Sequence, residues 1–176
     1  MADNEFVVER FDYENITPEQ NDQIKKVYAH AFEHDIGLIF DPSLDRDFTH
    51  PLQCYGKDIR GAFFVAKSVK TGEIVGTAGL RPMEIKGFAD GTCCEVKRMF
   101  ILPDGRGNGL AKMKMALIFA TAREFGYSRM VLDTKKKLEA ANHIYEKYGF
   151  TDCDDYNGNP RADRWMALDL TSKSEV

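Results

Sequence analysis

The chain has 176 residues, 43% hydrophobic and 30% charged, with a formal net charge of −4, enough for one domain over 1–176 with its own apolar core. Mild acidity without a long basic block excludes sequence-independent DNA or RNA binding, and no apolar stretch approaches the roughly 20 residues that span a bilayer. The opening MADNEF lacks the basic and apolar regions of a secretory signal, and Cys54, Cys93, Cys94 and Cys153 lack C-x-x-C spacing. The expectation is therefore a cytoplasmic protein with reduced thiols, no disulfide framework and no zinc site.

Residues 6–11 alternate weakly and predict a first strand. Thr17-Pro18-Glu19-Gln20 is a capping box with proline at the first helical position. Ile24, Val27, Tyr28 and Ala31 then recur at helical spacing, which predicts a helix to about residue 34. Residues 35–60, with Pro42 and Pro51, read as an irregular, lid-like region. Strands over 61–68 and 73–80 turn at Thr71-Gly72 and make a hairpin. A turn at 87–91 leads to a long strand over 93–102. The glycine-rich loop 103–109 follows, then an apolar helix over 110–125 closed by Gly126. A buried strand over 130–133, an amphipathic helix over 138–148 and strands over 149–155 and 164–170 complete the chain. This order predicts an α/β domain: a mixed sheet with one parallel crossover in its middle and helices on its faces.

The sharpest local signal is the strand CCEVKRMFIL running into PDGRGNGLA and then a helix. Glycines let the backbone converge several N–H groups on one point. The helix start adds unpaired N–H groups and its positive dipole end, and Arg106 adds a full charge. Together they suit a pyrophosphate; the bland alternative is an ordinary strand-to-helix loop. A dinucleotide fingerprint fails at its third glycine, where Leu110 or Lys112 stands, and a single crossover unit is too few for a doubly wound sheet. A Walker loop fails because no Gly-Lys-Ser/Thr follows.

Arg106-Gly107-Asn108-Gly109-Leu110-Ala111 resembles the R-x-x-G-x-G/A signature of the GNAT superfamily of acyl-CoA N-acyltransferases. The preceding Glu95-Val-Lys-Arg-Met-Phe-Ile-Leu-Pro resembles the strand before that loop. Downstream, Ala141-Asn142-His-Ile-Tyr145-Glu-Lys-Tyr-Gly149-Phe150 resembles the family's helix ending in Tyr-x-x-x-Gly-Phe. The three stand in the family's order and cover about residues 60–171, while the first sixty residues match only in type.

The resemblance implies a mostly antiparallel central sheet with one parallel, splayed strand pair, and acetyl-CoA as co-substrate in the gap. It implies that the backbone of Phe100, Ile101 and Leu102 holds pantetheine and the N–H groups of Arg106, Gly107, Asn108, Gly109, Leu110 and Ala111 the pyrophosphate. Asn142 falls among the cofactor-binding positions. Tyr145 takes the place of the general acid that protonates the departing thiolate, and Glu95 stands where some relatives recruit a base, often through water; the structural alternative for Glu95 is a salt bridge with neighbouring Lys97 or a cross-strand partner. Arg81 and Arg98 can each clamp a substrate carboxylate or serve in structural ion pairs. The segment Tyr156-Asn-Gly-Asn159-Pro160 resembles one found in a group of small-molecule members. The implied activity is transfer of an acetyl group from acetyl-CoA to a primary amine of a small, amino-acid-like molecule, directly in a ternary complex. A non-catalytic acetyl-CoA sensor, or a transferase acting on protein termini or lysines, are the alternatives. A homodimer is a common assembly in the family.

Three further patterns are set aside. His30-Ala-Phe-Glu33-His34 matches H-x-x-E-H, but no third ligand is evident and no metal is expected. Lys135-Lys136-Lys137 reads as a solvated cluster at a helix start. Tyr148 reads as packing.

Overall fold

Phe63, Phe64 and Val65 follow one another and are all fully enclosed, yet they serve two different cores. The reason is strand alternation, which sends successive side chains to opposite faces of a sheet. The computed structural model describes residues 5–171, so the ends of the expected 1–176 domain lie outside it. These three residues sit on β2 (Ala62–Ser68), which pairs antiparallel with β1 (Phe6–Phe11) and with β3 (Ile74–Pro82). β4 (Cys93–Ile101), β5 (Arg129–Thr134), β6 (Thr151–Asp152) and β7 (Arg164–Asp169) extend the sheet to seven strands in the order β1-β2-β3-β4-β5-β7-β6. Every pairing is antiparallel except β4 with β5. The mixed sheet with one central parallel pair is thus the architecture that the element order predicts.

Helices cover both faces. α1 (Pro18–His30) starts at the predicted capping box, with Gln20 N–H donating to Thr17 Oγ1 at 3.2 Å and Thr17 N–H to Gln20 Oε1 at 3.0 Å. It continues as a π-helical turn, Ala31–Ile36, closed by Gly37 in the left-handed region at φ 70°. Two one-turn helices follow, α2 (Arg46–Thr49) and α3 (Leu52–Tyr55). Ile24, Val27, Tyr28 and Tyr55 pack on Phe63, Val65 and Ile74. On the other face α4 (Leu110–Glu124) and α5 (Glu139–Lys147) bring Met115, Ile118, Phe119 and Tyr145 against Phe64, Leu80, Met130 and Leu132. Each such side chain contributes roughly 1.5–3 kcal/mol when fully buried.

Two expectations change. Residues 35–60 are not a lid throughout: Asp47 and Tyr55 are buried, so the second half is packed under the sheet and only 38–45 runs irregularly. The strand expected over 149–155 shrinks to Thr151–Asp152, because the chain leaves the sheet to reach into the centre of the molecule. Among the described residues no helix is long and apolar enough to cross a membrane, and the four cysteines are free thiols.

The parallel pair is short. Only Cys93↔Arg129, Cys94↔Met130 and Glu95↔Val131 are in register, and beyond them β4 and β5 diverge. On its other edge β4 carries an extra residue, with Arg98 and Met99 opposite Ala78 of β3. This β-bulge increases the local twist, and Arg98 adopts φ 56°, left-handed and uncommon for a residue with a side chain. Thr77 Oγ1–H donates to Arg98 O at 2.9 Å. Lys114, fully buried on α4, donates from Nζ to Thr77 O at 2.8 Å and Phe100 O at 2.7 Å, which ties helix, bulge and sheet together.

Burial alone pulls the Lys114 pKa down to about 7. The unfolded chain keeps that proton to about pH 10.5, whereas the native chain releases it from about pH 7, so the group adds stability as pH rises between those values. Wild type should therefore gain on Lys114→Met by up to about 1.4 kcal/mol per pH unit in that window, read from urea unfolding at each pH. A pH-independent difference between the two proteins contradicts the assignment.

Candidate active site

The fork between β4 and β5 opens into a cavity of about 1400 Å³. At one end lies the glycine loop. Gly107 and Gly109 take φ 79° and 73°, and a Cβ at either would meet no protein atom; backbone conformation, and the space kept open beside it, require glycine here. No side chain caps the start of α4, so its first N–H groups remain for a ligand. Asn108 Nδ2 folds the loop on itself through Gly105 O at 3.4 Å and Arg106 O at 3.1 Å.

Strand geometry corrects one expectation. Leu102 N–H donates to Val75 O at 2.8 Å, and Phe100, paired with Thr77 of β3, has its carbonyl taken by Lys114 of α4, so neither group is free at the open edge. Alternation then puts Ile101, of the three, at the open edge. Its carbonyl accepts from Arg106 Nε at 3.0 Å. Across the fork Asn142 Nδ2 donates to Lys135 O at 2.9 Å and Lys136 O at 3.1 Å, while its buried Oδ1 has no partner. A buried acceptor left open is rare and suits a ligand donor such as a pantetheine amide. The loop and the open edge at Ile101, both on the cavity, thus fit a CoA thioester, while Asn142 lies just behind the lining residues Ala141 and Ile144.

The π-helical turn is strapped over this end. Arg106 Nη2 donates to Asp35 at 2.8 and 2.7 Å, and Lys137 Nζ donates to Ile36 O at 2.6 Å. Lys137 is therefore engaged across the cleft, where the sequence suggested a solvated cluster.

At the other end Tyr145, 7% exposed, lines the cavity. Burial, and then the charge of Asp133, raise its phenol pKa, so it stays protonated at neutral pH. Tyr148 packs its ring 5.4 Å from that of Phe119. Glu95 is wholly enclosed. It accepts from Arg81 Nε at 2.7 Å, Tyr156 Oη at 2.8 Å and Asn157 Nδ2 at 3.1 Å, with Lys97 Nζ at 3.4 Å. An enclosed carboxylate with four partners cannot meet an incoming amine directly, so a base role for Glu95 requires a water relay, and its contacts make it an anionic hub of the site. Lys97 also holds Asp133 at 2.8 and 2.9 Å, and Asn157 and Asn159 bond the same carboxylate. Burial would raise the Asp133 pKa, but the Lys97 charge and these hydrogen bonds hold it below the usual range.

Neither predicted arginine is a vacant clamp. Arg81 is committed to Glu95, and Arg98 grips Asp47 through Nε at 2.7 Å and Nη2 at 2.5 Å, with Asp45 at 3.0 Å. Sequence reasoning missed Lys97, Asp133, Asn157, Arg161 and Asp45 as members of the site. Glu95 and Lys97 share a strand face by their i, i+2 spacing, and Asp133 ends the next strand; that pattern could have found the first two.

A strand-fork cavity with a glycine cradle at one end and a protonated tyrosine at the other defines an acyl-CoA transferase. The sequence model of the acetyltransferase (GNAT) family matches residues 22–150. An uncharacterized N-acetyltransferase of Schizosaccharomyces pombe is 31% identical over 144 residues, 81% of this chain and 83% of its own. YjgM of Escherichia coli, also an uncharacterized N-acetyltransferase, is 33% identical over 116 residues, 66% of this chain and 64% of its own. In fold, the chain is similar to a GNAT-family acetyltransferase of Staphylococcus aureus, with TM-score 0.78 and 16% identity over 94% of this chain and 99% of that one. The GNAT-family N-acetyltransferase YhbS of Escherichia coli, solved in complex with CoA, gives TM-score 0.68 and 16% identity over 97% and 84%. The chain belongs to the GNAT acetyltransferase family. It is accordingly an acetyl-CoA-dependent acyltransferase.

Asp35 holds the Arg106 side chain beside the glycine loop, where it would compete with a bound diphosphate for that charge. Asp35→Asn should tighten acetyl-CoA binding about threefold, the scale of one part-exposed ion pair, measured by titration calorimetry. Weaker binding would show that Asp35 supports the cofactor end instead of competing with it.

Proposed function

We propose that the protein moves the acetyl group of acetyl-CoA to a primary amine of a small, amino-acid-like molecule, directly and in a ternary complex. The observation that carries this reading is Tyr145, a phenol on the wall of the cavity that also holds the glycine cradle. Acetyl-CoA supplies the activated acyl group and a thiolate leaving group. The acceptor attacks as the free amine; Tyr145 donates its proton to that thiolate as the carbon–sulfur bond breaks and the carbon–nitrogen bond forms, the nitrogen releases one proton to solvent, and Tyr145 regains one from solvent. Glu95 keeps Arg81, Lys97 and Tyr156 in position through its four contacts.

Two features favour direct transfer to a small acceptor. None of the four cysteines lines the cavity, which leaves an acyl-cysteine route without a nucleophile. Residues 43–45 and 157–162 wall the acceptor end, a shape better suited to a small molecule than to an extended peptide.

Tyr145→Phe should lower kcat by about 10² or more, as loss of a general acid does, with acetyl-CoA affinity within about twofold of wild type. Thiol release against amines at saturating acetyl-CoA reads the rate. An unchanged kcat would remove Tyr145 from the chemistry.

A further inference from the structure

The acceptor end of the cavity contains a carboxylate already bound by two arginines. Asp45 accepts from Arg98 Nη2 at 3.0 Å and from Arg161 Nη1 at 3.0 and 2.9 Å, and all three residues line the cavity. We propose that Arg98 and Arg161 form the carboxylate-binding slot of the acceptor site, that Asp45 fills it while no acceptor is present, and that the acceptors are therefore amines bearing a carboxylate. This rests on the acetyl-transfer reading above and names the substrate class for it.

Charge balance supports the assignment. Arg81 and Lys97 face Glu95 and Asp133, and Arg98 and Arg161 face Asp45 and Asp47. An acceptor carboxylate that displaces Asp45 preserves this balance. An acceptor without one must either leave Asp45 in place or strand Arg161 unpaired in a poorly hydrated site, which is costly.

The two aspartates differ in how they are held. Asp47 lies on α2, takes both Nε and Nη2 of Arg98, and accepts from the buried Tyr55 hydroxyl at 2.5 Å. Burial would raise its pKa, but Arg98 and Tyr55 hold it at about 2. It is a fixed partner that keeps Arg98 aimed. The Asp45 side chain accepts, besides the arginines, only from Asp41 N–H at 2.8 Å within its own loop, while its backbone is held by Asp41 O at 2.7 Å and Phe48 N–H at 2.9 Å. That loop leaves Ile39 86% and Leu44 48% exposed, so apolar packing does little to hold it; Asp45 itself is buried, at 2% exposed, by the arginines it pairs with. Arg161 pins it through Asp45 and Ile39 O at 2.8 Å. Rotation of the Asp45 side chain frees a paired-arginine slot without unpacking α2.

Asp45 is thus a tethered competitor, acting at an effective concentration on the order of millimolar and raising KM for its rivals. The test compares α-amino acids with their α-amides, which differ only in the carboxylate, by thiol release at saturating acetyl-CoA. Acids should exceed amides in kcat/KM by about 30-fold or more, the scale of a desolvated charge pair. Asp45→Asn should lower KM for the acids about tenfold. Arg161→Gln should raise KM for the acids by a similar factor and so narrow the acid-over-amide ratio of kcat/KM, with acetyl-CoA affinity, measured by calorimetry, showing that each variant is folded. Equal turnover of acids and amides, or preference for amides, overturns the slot and leaves acetyl transfer standing. No turnover of either series overturns both readings together.

Discussion

The parallel pairing of β4 with β5 stops after Glu95↔Val131, and the rest of the site depends on that early end. A continued ladder would set Lys97 beside Asp133 as neighbours in a closed sheet. Instead their side chains span the widening gap as an ion pair, and the backbone edge of β4 beyond it is left for another partner. The bulge at Arg98 and Met99 helps this divergence, since an extra residue twists β4 away from the line of β5. Lys114 braces the same place from the opposite face. Sheet, bulge and helix together hold open a slot that a chain of extended shape can occupy.

Around that slot most charged groups are committed to one another. Burying an unpaired charge costs several kcal/mol, so a cleft with this many ionisable groups stays folded only through reciprocal pairing. Glu95 joins Arg81, Lys97, Tyr156 and Asn157; Asp45 and Asp47 join Arg98 and Arg161. In the first group Glu95 and Tyr156 sit behind the wall and order Arg81, Lys97 and Asn157, which line it. The second lies on the wall, where one carboxylate can be exchanged for another. Lys114 is the contrast: burial without a carboxylate partner shifts its proton equilibrium instead.

Local features were legible in the sequence and long-range ones were not. The capping box at Thr17, the left-handed glycines of the loop and the apolar helix behind them are set by neighbouring residues, and the structure has them where spacing predicts. The partners of Arg98 and Arg161 lie 51 to 116 residues away, and no local pattern pairs an arginine with an aspartate that distant. Alternation was in principle readable: with Leu102 facing β3, neighbouring Ile101 must face the gap. Residues 153–155 read as the end of a strand that began at 149, yet the chain leaves the sheet there and Asn157 and Asn159 turn inward to the buried carboxylates of Glu95 and Asp133.

The most direct measurement of the central claim is residue-resolved amide hydrogen exchange with and without acetyl-CoA. If the open edge of β4 and the glycine loop receive the cofactor, exchange should slow at Ile101 and over residues 107–111. The Leu102 amide, already bonded to Val75 O, should not change. Exchange unaltered at Ile101 and in the loop at saturating acetyl-CoA would contradict the account and place the cofactor elsewhere.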